Sequence, residues 1–454
     1  MCIFVATFDI ELITQKYMYK LFFFFTFLLA SQIVSAQQQT EQYYLLRHRS
    51  AFADGVAYAT SPDGVHFHDL ACGYPAELPV SIANIAQGLA VDTLIQSVYD
   101  ISPKTLATAA VKGSFKQLTT EEYELLQTWS DTVEPYYLAS DQNNPVFRGK
   151  HADPEVLYSP QTGKYYIYPT TDGTFGWHSH DFHCFSSPDL KTWTDEGVIL
   201  DLQDLSWGKE YAWAPCIIER PTVEQGDTIG YKYYFYFVAN KSIGVAVADR
   251  PEGPFVDALG HAMFNQELLN APNITIDPDV FCDPATGKYY LYFGNSFLWM
   301  AELAEDMTSL VPGTMHELIP RSKIGDYHYL EGTYVFERNG LYYFMWSENI
   351  TRSAHYRIRY LISDSPTEFV RNGKKAEPED EIILQLNPEK QIFGTGHNSA
   401  ICLPGTDEWY MVYHRFVRPG SIKLGLSGGY HREVCIDRMY FRPDGTIVPV
   451  VPTL

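Results

Sequence analysis

Three carboxylates and one histidine recur at nearly the same distance ahead of an aromatic motif that is repeated along the chain. Each stands eleven or twelve residues before a pair of aromatic residues, and the four are Asp153, Asp277, Glu331 and His397. Carboxyl groups that meet in space can divide the roles of proton acceptor and proton donor, which is the chemistry of general acid–base catalysis. Matched offsets in a repeat imply equivalent positions, so the spacing predicts that these side chains converge on one site.

The aromatic motif predicts the architecture that brings them together. Its five copies read GKYYIY, YKYYFYF, GKYYLYF, GLYYFMW and EWYMVYH, starting at Gly163, Tyr231, Gly287, Gly340 and Glu408. Each copy is rich in the β-branched and aromatic residues of a buried strand, and the copies lie 53 to 68 residues apart. Units too small to bury their own apolar face indicate a propeller or solenoid. The sequence predicts an all-β, five-bladed β-propeller whose innermost strands line a central channel.

Local context separates the predicted site carboxylates from ordinary turn residues. Asp283, in CDPATGK, falls between two strands of one blade, where a hairpin turn is expected. Asp153 and Asp277 come one strand earlier, at the channel end. Glu331 interrupts the apolar strand EGTYVF and would be costly to bury without a role or a partner.

Composition narrows the class of partner. The 454 residues include 33 Lys and Arg against 55 Asp and Glu, a formal net charge of −22. Such an acidic surface argues against nucleic acid and anionic membranes as partners. Aromatic residues make up 15% of the chain and offer flat surfaces on which sugar rings can stack. We therefore expect a neutral substrate.

The amino terminus predicts an exported protein. Residues 1–36 form a leader, and the segment 18–36 has the lysine, the short apolar run and the small-residue cleavage site of a signal peptide. The apolar run is too short to span a bilayer, so we expect no membrane insertion. The expected location is periplasmic or extracellular.

Two regions follow the leader. Residues 37–142 lack the aromatic repeat and form an accessory segment, in which Thr119 and Glu122 make the capping box of a short helix. Residues 143–454 carry the repeat and form the predicted catalytic propeller. The cysteines beyond the leader are scattered without metal-binding spacing, so zinc is unsupported, while disulfides stay open.

At the residues that carry the predicted site, the sequence resembles glycoside hydrolase family 43. The resemblance covers 144–454 and includes NPVFRGKHADPEV, HCFSSPDLKTWTDEGVIL, YAWAP, IDPDVF, EGTYVF, GTGHNSA and YHRF. It implies a five-bladed propeller that hydrolyses arabinose- and xylose-containing polysaccharides with inversion of the anomeric carbon.

The resemblance also implies a role for each site residue. Asp153 matches the general base, Glu331 the general acid, and Asp277 the residue that raises the pKa of the acid and orients it. Inverting hydrolysis needs one carboxylate to activate water and one protonated carboxyl group to protonate the leaving oxygen. His397 matches a histidine on the propeller axis near a bound calcium or a water. No cofactor is required, and a structural calcium held through water at His397 is left open.

Substrate-binding residues are expected around this centre. Trp213, in YAWAP, would form an apolar wall of the sugar pocket, while His414 and Arg415, in YHRF, would hydrogen-bond to sugar hydroxyls. Relatives often carry an acidic residue after WAP, where this chain has Cys216. We expect this change to leave the pocket more apolar.

The leading hypothesis is an exo-acting, inverting glycosidase that releases α-L-arabinofuranosyl groups from the side chains of plant polysaccharides. A β-xylosidase or a galactan-directed glycosidase on the same scaffold is the alternative, since pocket shape decides among these substrates. A non-catalytic sugar-binding propeller is disfavoured, because a binding module has no need for two pre-positioned acids.

Overall fold

The computed structural model describes residues 42–49, 56–61, 68–69, 80–91, 109–133, 144–264, 275–418 and 421–454. The predicted leader, residues 1–36, lies outside them. In the described part of the chain, no helix is both long and apolar enough to cross a bilayer.

The N-terminal segment contains a small sheet of its own. Its described elements are β1 (Tyr43–Arg49), β2 (Val56–Ser61), β3 (His68–Asp69), α1 (Val80–Ala86), β4 (Phe115–Leu118) and α2 (Thr120–Val133). The strands pair in the antiparallel order β3-β2-β1-β4, and Leu45, Leu118 and Leu126 share one apolar cluster. The capping box is confirmed, because the Glu122 N–H donates to Thr119 Oγ1 at 3.1 Å and the Thr119 N–H donates to Glu122 at 3.0 Å.

Among the described residues from His151 onward, the strands form five successive sheets of three or four strands and one two-stranded hairpin. Sheet 1 comprises β5 (His151–Ser159), β6 (Lys164–Thr171), β7 (Asp181–Ser187) and β8 (Thr194–Asp201). Sheet 2 comprises β9 (Trp213–Glu224), β10 (Asp227–Ala239), β11 (Ser242–Ala248) and β12 (Val256–Asp257). Sheet 3 comprises β13 (Asp279–Cys282), β14 (Tyr289–Phe293), β15 (Leu298–Glu302) and β16 (His316–Ile319).

Sheet 4 comprises β17 (Glu331–Arg338), β18 (Leu341–Glu348) and β19 (Arg357–Ser363), and a small hairpin of β20 (Val370–Arg371) and β21 (Lys374–Lys375) follows it. Sheet 5 comprises β22 (Gly396–Cys402), β23 (Trp409–Phe416), β24 (Arg432–Phe441) and β25 (Ile447–Val448). The connections include α3 (Ile324–Tyr327) and 3-10 turns at Phe175–Trp177, Leu202–Asp204, Arg321–Lys323, Pro388–Lys390 and Ser421–Tyr430.

The aromatic motifs form the second strand of every sheet, which confirms that they are buried strands. Their side chains fill the spaces between neighbouring sheets; Tyr166 and Tyr168 of β6, for example, share a core cluster with Phe235 and Phe237 of β10. The first strands contact one another in cyclic order, β5 with β9, β9 with β13, β13 with β17, β17 with β22, and β22 with β5. The beginnings of these first strands therefore lie around one common centre.

The two ends of this region meet in sheet 5. The Asn144 N–H donates to the Leu454 carbonyl at 3.1 Å, and Asn144 Oδ1 accepts from the Ile436 N–H at 2.7 Å. The last two strands complete this sheet, because β24 pairs with β23 and β25 pairs with β24. Asp283 lies in the predicted hairpin turn, where its Oδ1 accepts from the Ala285 N–H at 3.0 Å.

Candidate active site

A left-handed backbone residue marks the inner end of every first strand. The φ angles are 46° at Asp153, 39° at Ala214, 58° at Asp277, 64° at Gly332 and 45° at His397. In sheets 1, 2, 4 and 5 this residue lies within a bulge between the first and second strands. Bulges of this kind re-aim side chains next to active sites. The repeat thus places the left-handed residues of the five sheets at one level of the ring.

Glu331 occupies a slightly different position from the two aspartates. It stands one residue before Gly332, the left-handed residue of sheet 4, just as Trp213 stands one residue before Ala214 in sheet 2. Because sheets 2 and 4 are not neighbours in the ring, Trp213 and Glu331 approach its centre from different sides.

Asp153 is a buried carboxylate that stays ionised. Its Oδ1 lies 2.8 Å from the Arg432 guanidinium and 3.2 Å from Nδ1 of both His397 and His414. Burial alone would raise the pKa of Asp153, but Arg432, followed by His397, holds the pKa well below its usual range. A carboxylate that is ionised at neutral pH can act as a general base.

His414 supports Asp153 from within the core. Its Nδ1 accepts the backbone N–H of Asp153 at 3.1 Å, and its ring stacks on Tyr356 with centroids 5.5 Å apart. Burial, together with the charge of Arg432, lowers the pKa of His414 to about 3, so the ring is neutral. His414 is fully buried; its Nδ1 positions Asp153, its Nε2 has no hydrogen-bond partner among the described residues, and the predicted hydrogen bond to a sugar hydroxyl stays a prediction.

The Nδ1 side of His397 does not suit calcium. Calcium takes six to eight oxygen ligands, whereas His397 Nδ1 faces an Asp153 oxygen that already accepts from the Arg432 guanidinium. A guanidinium cation at this point repels a second cation. Burial lowers the pKa of His397, so the neutral ring packs against the base.

Arg432 is the main site residue that the sequence did not reveal. It connects Asp153 with Asp172, whose Oδ2 accepts from both the Arg432 backbone N–H and Nε at 2.9 Å. Its Nη1 also lies 3.2 Å from the Thr351 hydroxyl. In the sequence, Arg432 is recognisable only as a charged residue at the start of an apolar strand. It lies 279 positions from Asp153, and no repeat spacing connects Arg432 with Asp153.

Glu331 carries the properties of a general acid. Its Oε1 accepts from the Tyr356 hydroxyl at 2.9 Å and its Oε2 from the Asn295 amide at 2.7 Å. Burial raises the pKa of Glu331 to about 7 despite the Tyr356 hydrogen bond, and the negative charge of Asp153 adds to the rise. Neither Tyr356 nor Asn295 belongs to a motif singled out in the sequence.

Asp277 lies against the strand that carries Glu331. Its Oδ2 accepts from the Gly332 backbone N–H at 3.0 Å. Burial, followed by the negative charges of Glu331 and Asp153, raises the pKa of Asp277 well above its usual value. The structure thus brings the three predicted carboxylates together, and their different surroundings shift the pKa values of Asp153 and Glu331 in opposite directions.

Of the two remaining predicted substrate-binding residues, one lies at the site and the other does not. Trp213 is partly buried at the ring level, and its Nε1 donates to the Trp177 carbonyl at 2.7 Å. Arg415 does not join the site: it is fully buried, its Nε pairs with Glu433 at 2.7 Å, and its Nη1 donates to the Thr453 carbonyl. The alternation of β23 sends Arg415 away from the face that carries His414.

Cys216 lies two residues beyond the left-handed residue of sheet 2. Glu155 and Asp279 hold the equivalent positions in sheets 1 and 3. The ligand atoms of these three side chains lie within 4.8 Å of one another. Burial raises the pKa of Cys216, Glu155 and Asp279 well above their ordinary values. A third acidic residue here would add to an already unfavourable pair, so the cysteine relieves charge crowding instead of making the sugar pocket apolar as predicted.

Comparisons with known proteins show which family the chain belongs to. The sequence model described as Glycosyl hydrolases family 43 matches residues 142–447. A β-D-galactofuranosidase of Aspergillus niger is 38% identical over 319 residues, covering 68% of this chain and 85% of that protein. A xylosidase/arabinosidase of Humicola insolens is 27% identical over 351 residues, covering 64% and 94%.

A solved structure shows the same relationship. The α-L-arabinofuranosidase of Clostridium thermocellum is 30% identical, with a TM-score of 0.51, and the match covers 71% of this chain and 98% of that one. The family model spans the region that holds the three carboxylates. The chain therefore belongs to glycosyl hydrolase family 43 and is a glycoside hydrolase.

Proposed function

We propose that the protein is an exo-acting, inverting glycosidase that releases α-L-arabinofuranosyl groups from polysaccharide side chains. The observation that carries the proposal is the pairing of an ionised Asp153 with a Glu331 whose pKa is raised to about 7, on one level of one ring. An ionised carboxylate and a protonated carboxyl group are the two groups that inverting hydrolysis requires.

In the proposed reaction each proton has a defined path. Asp153 takes a proton from a water molecule, whose oxygen attacks the anomeric carbon. Glu331 gives its proton to the glycosidic oxygen as the bond to the anomeric carbon breaks. Attack opposite the leaving group inverts the anomeric configuration, and the two carboxyl groups return to their starting states by exchange with solvent.

Asp277 keeps the acid in its working state. The bond from the Gly332 N–H to Asp277 places a second carboxyl group beside Glu331. Two neighbouring carboxyl groups in a buried site cannot both ionise easily, and the pKa values of Asp277 and Glu331 are both raised, so the pair retains a proton near neutral pH.

The names of the relatives support a furanose as the released sugar. The Clostridium thermocellum structure is of an α-L-arabinofuranosidase, and the Aspergillus niger protein is a β-D-galactofuranosidase. These two sugars share one ring configuration, and galactofuranose has an exocyclic chain one carbon longer. A β-D-galactofuranoside is therefore the second candidate substrate, and a β-D-xyloside is the third, after the Humicola insolens relative.

The proposal includes a fold and a location. The closed ring of five first strands supports a five-bladed β-propeller over residues 143–454, and the separate apolar cluster of β1, β4 and α2 supports an accessory segment over residues 37–142. The signal-peptide pattern at 18–36 supports export to the periplasm or the exterior. Enzymes of this family generally need no cofactor.

A panel of 4-nitrophenyl glycosides tests the substrate directly. We expect kcat/KM to be highest for α-L-arabinofuranoside, followed by β-D-galactofuranoside and then β-D-xyloside. One additional carbon in a pocket changes kcat/KM by about 10- to 200-fold, so the ratio of the first two measures how far the pocket extends. A highest value for the galactofuranoside or the xyloside would reassign the sugar, and hydrolysis of none of the three would overturn the proposal.

A further inference from the structure

We propose that a strip of aromatic side chains on sheets 1 and 2 binds the neutral sugar next to the one that is released. The strip consists of Trp177, His178, Tyr211 and Trp213. The inference rests on the proposed function, because an enzyme that removes a terminal sugar holds every further sugar on the leaving-group side.

The four rings form a contiguous row, in the order Trp177, Trp213, Tyr211 and His178, beside the catalytic level. Trp213 adjoins Ala214 of the ring, and its ring lies 6.4 Å from Trp177 and 4.8 Å from Tyr211, between centroids. His178 continues the strip, 4.8 Å from Tyr211. All four side chains are only partly buried. A row of contiguous, accessible rings beside a buried catalytic centre matches the size and polarity of a sugar chain.

Hydrogen bonds hold the strip in place before any ligand arrives. Trp213 Nε1 donates to the Trp177 carbonyl, and Trp177 Nε1 donates to the Gly429 carbonyl at 3.0 Å. Tyr430 packs edge-on against Trp177 with centroids 4.6 Å apart, and Arg352 lies over the Tyr430 ring at 5.0 Å. Rings fixed in this way lose little conformational entropy when a sugar stacks on them.

Polar groups line the outer end of the strip. The Lys241 ammonium lies 5.1 Å from the centre of the Tyr211 ring, and Glu210 lies 3.8 Å from His178 Nδ1. The backbone is left-handed at Trp177, with φ 58°, and at Tyr211, with φ 64°. Non-glycine residues adopt this conformation at a cost and are concentrated at functional sites. Apolar faces bordered by hydrogen-bonding groups are what a sugar ring with peripheral hydroxyls requires.

The test compares two substrates that share one terminal sugar. One is the 4-nitrophenyl glycoside that the enzyme hydrolyses best, and the other is a xylotetraose that carries the same sugar as a branch. In Tyr211→Ala we expect the ratio of kcat/KM for the oligosaccharide to kcat/KM for the aryl glycoside to fall about tenfold, the loss of about one ring contact. Tyr211→Phe keeps the ring and should keep the wild-type ratio.

Tyr440→Ala is the matched control, because Tyr440 is 56% exposed on β24 and lies outside the strip. It should leave both kcat/KM values unchanged. An unchanged ratio in Tyr211→Ala, or an equal fall in Tyr440→Ala, would overturn the assignment.

The failure of the proposed function would be visible separately. If the wild-type protein hydrolyses none of the glycosides, binding of the branched xylotetraose is measured by calorimetry. Weaker binding by Tyr211→Ala than by wild type and Tyr211→Phe would then still support the strip, and equal binding by all three would reject it.

Discussion

Arg432 Nη1 lies 2.8 Å from Asp153 Oδ1, and this contact explains why a carboxylate buried in the ring stays ionised. We expect Arg432→Ala to raise the pKa of Asp153, because an opposite charge at this distance lowers a carboxyl pKa by about 1 to 3 units. The acidic limb of the kcat/KM profile should move to higher pH by a similar amount. Arg432→Lys keeps the charge and should shift the limb less. Superimposable acidic limbs for wild type and Arg432→Ala would contradict this role.

The raised pKa of Glu331 sets the alkaline limb of the same profile. Glu331 must be protonated to act as the acid, and its pKa is raised to about 7. The protonated fraction therefore falls as pH rises through this value, and kcat/KM should decline about tenfold for each further pH unit. The measurement is kcat/KM from pH 5 to 9 with the 4-nitrophenyl glycoside. A profile that stays flat to pH 9 would show that Glu331 is not the acid.

Substrates with different leaving groups distinguish the role of Glu331 from that of Asp153. Glu331→Ala should lower kcat by about 10²- to 10⁴-fold on the oligosaccharide, whose leaving oxygen needs a proton. A 2,4-dinitrophenyl glycoside leaves without one and should lose far less. Asp153→Ala should abolish turnover of both substrates, because neither can react without an activated water. Near wild-type turnover by Asp153→Ala would refute the assignment.

Arg415 should affect stability and not sugar recognition. Its guanidinium is fully buried against Glu433 and the Thr453 carbonyl. Arg415→Ala leaves a buried charge unpaired and should destabilise the fold by about 3 to 5 kcal/mol, measured by urea unfolding. In Arg415→Ala protein that is still folded, KM should match the wild type. A raised KM with unchanged stability would restore the substrate-binding role.

The elements of the fold and the site residues that recur in each repeat unit could be predicted from the sequence. The aromatic motifs predicted the second strands, and the offsets ahead of them predicted that Asp153, Asp277, Glu331 and His397 converge. Both predictions depend on local periodicity, which the backbone preserves as an equivalent bulge in sheets 1, 2, 4 and 5.

The residues that the sequence missed are those that do not repeat. Arg432, Asn295 and Tyr356 reach the carboxyl groups from irregular or outer segments, where only the closed ring brings them near. Arg415 was misassigned because its neighbour His414 does reach the site, and adjacent residues of a strand point to opposite faces.

The product anomer tests the central claim most directly, because inversion requires one carboxylate to activate water while a second carboxyl group protonates the leaving oxygen. The first sugar released from the 4-nitrophenyl α-L-arabinofuranoside is followed by proton NMR before mutarotation. We predict that the β-anomer of L-arabinofuranose appears first and then equilibrates. Initial release of the α-anomer would contradict the assignment of Asp153 as a general base acting through water.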